Sequence, residues 1–180
     1  MSRSVSEPRI AAIVYDRTDE VDRLIADFAA ARVAEGRAVA GLVETQSGAD
    51  ACLTREMRLR DIASGTTIRI CQDLGAGARG CRIDPRGLAQ AASVLRASIA
   101  AGPDLVVVNK FGKMEADGEG LIAEIGACVA DGIPLVVGIP RRFAQTWDDF
   151  AGGLDEKVAP ARLALEDWWA RVALPAAQPS

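Results

Sequence analysis

Two stretches of the 180-residue chain hold side chains of the types that grip or transform small anions. One reads Asn109-Lys110-Phe111-Gly112-Lys113-Met114-Glu115, an amide, two ammonium groups and a carboxylate close together. Ammonium groups at a polar turn suit an oxyanion through charge-assisted hydrogen bonds. The other stretch runs from Gln72 to Asp84 and contains Gly75, Gly77 and Gly80 in G-x-G-x-x-G spacing. That spacing signals dinucleotide binding only between a first strand and its helix, and here it follows a hairpin pattern. The glycines therefore read as a tight turn or an anion-binding nest, with Gly77 and Gly80 flanked by Arg79 and Arg82. Cys81 sits just ahead of a predicted helix start, a setting that favours thiolate, and both a reactive and a packing role stay open for it. Lys113 and Glu115 stand as ligand candidates, and they could equally pair with each other or cap the turn. Arg141 and Arg142 follow a later strand, and Arg142 joins the candidate ligand-binding set.

Composition removes several alternatives. The chain has 0 histidines, which excludes a Ser-His-Asp triad, a Cys-His pair and any His-ligated metal site. No catalytic residue, metal ligand or cofactor is assigned. A net charge of −4 gives no global basic field for nucleic acid or an anionic membrane. No apolar run is long enough to span a bilayer, and the first residues lack a signal-peptide pattern, so the expected compartment is the cytoplasm. Cys52, Cys71, Cys81 and Cys128 are then expected as free thiols, and none shows C-x-x-C spacing.

The elements that must position these groups follow from periodicity. Residues 9–15 and 39–44 are short apolar runs, read as strands buried on both faces. Between them Val21, Leu24, Ile25 and Phe28 share one face of a helix over 19–34. Residues 56–60 and 67–71 alternate in polarity around a turn at 61–65, a hairpin with one wet face. Asp84-Pro85 opens a helix to about residue 101. A strand at 104–109, a helix from about 118 to 131 and a strand at 134–139 come next. Two amphipathic tail helices carry Trp147 and Trp168, which read as core anchors. The fold class is α/β, a mostly parallel sheet with helices on both faces and a β-hairpin insert. Residues 1–8 read as a disordered leader, 9–173 as a single domain and 174–180 as a tail.

This order, with Phe111-Gly112-Lys113-Met114-Glu115 after a buried strand, resembles the small P-loop nucleoside-triphosphatases of the thermophilic, cancer-related type. The segments Gln72-Asp73-Leu74-Gly75, Gly80-Cys81-Arg82 and Asn109 to Glu115 resemble, more closely, domain of unknown function family 2478. The resemblance to that bacterial family implies an association with molybdenum transport. In the triphosphatase pattern the first βα turn carries G-x-x-x-x-G-K-[ST], and a later strand ends in an Asp-Glu pair. Here the first position reads Asp16-Arg17-Thr18-Asp19-Glu20-Val21-Asp22, and the second reads Asn109-Lys110. The first has no phosphate-cradling glycine and no lysine, and its four carboxylates would repel a triphosphate; the second lacks the anionic charge that holds Mg²⁺. The expected function is a non-hydrolysing P-loop-like domain lacking the Walker A loop. It would bind a small oxyanion such as molybdate, a phosphorylated metabolite, or a partner protein. The competing readings are a residual phosphohydrolase or phosphotransferase, and a dimerisation or docking module.

Overall fold

The computed structural model describes residues 9–16, 18–45, 57–71 and 83–173. The expected leader at 1–8, tail at 174–180 and glycine-rich stretch at 72–82 lie outside the described residues.

The chain opens with β1 (Ile10–Tyr15), α1 (Thr18–Ala34) and β2 (Val39–Glu44). A hairpin of β3 (Arg58–Asp61) and β4 (Thr67–Arg69) follows, then α2 (Pro85–Ala100) and β5 (Leu105–Val108). A short helix α3 (Lys113–Ala116) and α4 (Ile122–Asp131) lead to β6 (Leu135–Pro140). A 3₁₀ turn over Arg141–Phe143, α5 (Ala144–Ala151), β7 (Asp155–Lys157) and α6 (Arg162–Val172) complete the described fold.

The strands form one seven-stranded sheet in the order β4-β3-β2-β5-β6-β1-β7. β2, β5, β6, β1 and β7 run parallel, while β3 joins the edge of β2 antiparallel with Leu42 opposite Asp61. The apolar strands β1, β5 and β6 lie at the centre because both of their faces are covered. On one face pack α1 and α6, through Val21, Ile25 and Phe28 and through Leu165 and Trp168. On the other pack α2, α4 and α5, through Leu95, Ile125 and Trp147. Apolar burial of this extent is the main favourable term in folding.

Local signals place most helix ends. Asp84 accepts a hydrogen bond from the Arg86 N–H at 3.0 Å, and Pro85 fixes the first φ of α2. The helix expected from about 118 to 131 is shorter, because Gly118 and Gly120 hold φ of +83° and +61° and interrupt it. The edge strand β7 was not expected. Its sequence, Asp-Glu-Lys, shows no apolar alternation; pairing with β1 organises it, helped by side-chain bonds from Trp147 to Asp155, Arg171 to Glu156 and Lys157 to Asp148.

Candidate functional site

The residues singled out around 109–115 stand at the carboxyl ends of the parallel strands, where open α/β sheets hold ligands. Two buried anchors fix this segment. Asn109 donates from Nδ2 to Asp22 Oδ1 of α1 at 3.2 Å, within the protein interior. The Phe111 N–H donates to the Gly138 carbonyl of β6 at 2.7 Å. Its buried ring stands edge-on to Trp147, centroids 5.3 Å apart and planes at 79°. Gly138 must be a glycine, since a side chain there would run into the Asn109 carbonyl oxygen. Lys110 is thus held between two anchored neighbours, half-buried, with no hydrogen bond or ion pair among the described residues.

Glu115 has a different task. Its Oε2 accepts from the Gly112 N–H and its Oε1 from the Leu121 N–H, each at 3.0 Å, and both bonds are buried. One carboxylate therefore clasps the start and end of the 112–121 segment, the reach-back half of a capping box extended by a second bond. A side chain at Gly120 would collide with that carboxylate, which explains the glycine. Lys113 is exposed and pairs with Asp117 at 2.6 Å, which raises its pKa. Of the two local roles open to these residues, Glu115 caps the turn, while Lys113 finds Asp117 as its partner instead.

Across from Lys110 stands Glu44, the last residue of β2, half-buried and without a hydrogen bond among the described residues. Burial raises its pKa, the nearby Asp22 raises it further, and Lys110 offsets part of the shift. At the tip of β1, the Tyr15 hydroxyl is buried with no hydrogen-bond partner among the described residues. Burial, and then the charges of Asp22 and Glu44, push its pKa up.

The crevice between β1 and β6, whose connecting helices α1 and α5 leave to opposite faces, is bridged by an ion pair. Arg141 Nε and Nη2 donate to Asp16 Oδ1 and Oδ2 at 2.7 and 3.0 Å. This bidentate pair holds the Asp16 carboxyl below the usual carboxylate range. Only Asp16 and Arg17 separate β1 from α1. A G-x-x-x-x-G-K-[ST] turn needs a longer loop to aim its backbone N–H groups at a phosphate chain.

The open space lies to one side, on the face covered by α2. It is a cleft of about 200 Å³ lined by Glu44, Met57, Leu59, Ile70, Leu88, Asn109, Lys110, Lys113, Glu115 and Arg142. Five residues chosen from sequence, Asn109, Lys110, Lys113, Glu115 and Arg142, therefore meet in one place. Arg142 is exposed, lies 4.9 Å from the Phe143 ring centroid, and has no carboxylate partner among the described residues. Gly77, Arg79, Gly80, Cys81 and Arg82 lie outside the described residues. The segment leaves from Cys71 and returns at Ile83, which form an antiparallel bridge, and Ile83 also lines the cleft. Sequence reasoning missed Glu44 and Tyr15. The available signal was a polar residue ending an otherwise apolar strand at the sheet's carboxyl edge.

Asp84 occupies the N–H of Arg86 at the start of α2, so that donor is already taken. Cys128 is buried, its thiol pushed up to about 12 by burial, and is a packing residue; Cys71 is buried as well. Among the described residues, no group of three or more acidic or cysteine side chains is arranged to hold a metal ion. No helix among them is long and apolar enough to cross a membrane.

Strand order, hairpin and covering helices define a P-loop NTPase-like α/β fold. It overlays a crystal structure of THEP1 from the hyperthermophile Aquifex aeolicus with a TM-score of 0.62 at 12% identity. That overlay covers 88% of this chain and 95% of the other. A solution structure of a human cancer-related nucleoside triphosphatase gives 0.60 at 14% identity, covering 96% and 100%. At these identities the likeness concerns the fold. The chain belongs to the family described as protein of unknown function (DUF2478), whose sequence profile matches residues 10–168. It is also 38% identical over 161 residues to the molybdenum import ATP-binding protein ModC 2 of Bradyrhizobium diazoefficiens. That alignment takes in 89% of this chain but spans only 18% of the relative's length.

Proposed function

We propose that the chain is a non-hydrolysing P-loop-like domain that binds a small tetrahedral oxyanion in the cleft at the tips of β2 and β5. Lys110 carries this reading. It is half-buried, positioned by anchors on either side, engaged in no hydrogen bond or direct ion pair among the described residues although the Glu44 carboxylate stands near it, and it lines the cleft together with Arg142. Cations held in this way form short, strong hydrogen bonds to an oxyanion. The volume of about 200 Å³ is below the ~300–1,000 Å³ usual for drug-sized ligands, which favours an ion over a nucleotide. The start of α1 at Thr18, so soon after β1 ends at Tyr15, and the Asp16–Arg141 pair across the neighbouring crevice support the absence of triphosphate chemistry.

The printed name of the Bradyrhizobium relative supports a place in molybdenum handling, with molybdate one anion of the right shape. The ATP-binding part of that name describes a protein of which this chain spans less than a fifth. In this reading residues 9–173 act as one cytoplasmic unit.

Titration calorimetry with phosphate, molybdate, tungstate, sulfate and ATP tests the proposal. The expected result is binding of at least one oxyanion, weakened about tenfold or more by Lys110→Ala. That loss matches a charge-assisted hydrogen bond of about 1.5–3 kcal/mol. ATP should be neither bound nor turned over. Turnover of ATP or GTP, or silence from every oxyanion, would overturn it.

A further inference from the structure

The charge pattern of the same cleft narrows its ligand further, given that the oxyanion reading above holds. Half of the polar side chains that line the cleft already have partners. Asn109 is bonded to Asp22, both oxygens of Glu115 are occupied by backbone N–H groups, and Lys113 is paired with Asp117. Three lining side chains make no hydrogen bond or direct ion pair among the described residues: Lys110, Arg142 and Glu44, of which Lys110 and Glu44 feel each other's charge across the cleft. Two are pure donors and the third, as a carboxylate, is a pure acceptor.

A fully deprotonated oxyanion satisfies the donors and is repelled by the carboxylate. An oxyanion that keeps an O–H satisfies all three, because its hydroxyl donates to the acceptor while its other oxygens accept from the cations. We infer that the cleft selects a proton-bearing oxyanion, hydrogen phosphate being the simplest, with Glu44 as the residue that reads the proton. Sulfate and molybdate carry no proton at neutral pH, so the carboxylate that welcomes phosphate rejects them. The cleft's ligand then belongs to the phosphate side of the oxyanion class, even though a relative bears a molybdenum-import name.

The discrimination rests on an unpaired acceptor in a partly dry wall, where leaving a donor–acceptor match unmade costs more than in water. Direct apposition of two like charges is opposed more strongly there than at an open surface, since the local dielectric is lower. Glu44→Gln removes the repulsion while keeping shape and a hydrogen-bonding group.

Calorimetric titration of the full chain with phosphate, arsenate, sulfate and molybdate, at matched ionic strength and neutral pH, separates the outcomes. Phosphate and arsenate are expected to bind at least about tenfold tighter than sulfate and molybdate, a difference of about 1.4 kcal/mol. In Glu44→Gln that ratio should collapse, mainly through tighter binding of the unprotonated pair. Circular dichroism of the variant checks that it is folded, and the wild-type ratio alone tests the inference if it is not. Sulfate or molybdate binding as tightly as phosphate overturns the inference and leaves the oxyanion reading standing, as does a ratio unchanged in folded Glu44→Gln. Silence from all four anions overturns both.

Discussion

Glu115 offers the sharpest test of whether a residue that resembles a ligand group is in fact a clasp. Its two oxygens each accept a buried backbone N–H at 3.0 Å, from Gly112 and from Leu121. Glu115→Gln preserves volume but leaves one acceptor oxygen and one NH₂. The NH₂ must then face a buried N–H, so one donor loses its partner and a second donor is pressed against it. An unsatisfied buried group costs about 1–3 kcal/mol, and the lost bond involved a charge, so about 2–4 kcal/mol is expected. For a domain of this size, that corresponds to a fall in Tm of about 4–16 °C. Thermal melts by circular dichroism, with urea unfolding as a second measure, read the change directly. Anion binding should weaken only because Lys110 and Lys113 flank a loosened turn. A variant that melts like the wild type yet loses oxyanion binding would refute the argument and return Glu115 to the ligand set.

Two further predictions concern stability. Arg32 is buried between α1 and α6, donating to Glu166 at 2.8 and 3.1 Å and to Glu35 at 2.9 Å, with the Phe28 ring 4.7 Å away. Glu166→Gln strips its main counter-charge; because Glu35 remains, the loss should be about 2–3 kcal/mol, under the ~3–5 usual for a broken buried pair. Denaturant unfolding should show this as a lower midpoint, and an unchanged midpoint would mean the clamp carries no net stability. Glu44 tests linkage with the opposite sign from most carboxylates. Burial raises its folded pKa, so the folded state holds the proton more tightly and stability drops as pH climbs above the ordinary glutamate value of about 4.3. Melts across pH should therefore find Glu44→Gln more stable than the wild type at neutral pH, with the advantage gone below about pH 4. A variant that is less stable at neutral pH would show that the carboxylate has a partner.

The layers of this protein are legible in its local residue patterns. Runs such as Ile-Ala-Ala-Ile-Val-Tyr and Leu-Val-Val-Val can be read as buried strands because a strand covered on both faces has no room for polar residues. Asp84-Pro85 announces a helix start because capping is a matter of neighbouring residues. The same locality made the 109–115 stretch visible as a candidate site, and five of its expected partners do share one cleft. Tertiary structure alone decided the roles within it. Asn109 meets Asp22 from 87 positions away, Arg141 meets Asp16 from 125, and Arg32 meets Glu166 from 134. Those pairings assign some charges to holding the fold together and leave Lys110, Arg142 and Glu44 without a hydrogen bond or direct ion pair among the described residues. No periodicity encodes that division, because a charge's availability depends on what the folded chain brings within a few ångströms of it. β7 shows the same limit: three charged residues become a strand because β1 presents an open edge beside them and distant side chains such as Trp147 and Arg171 bind them there.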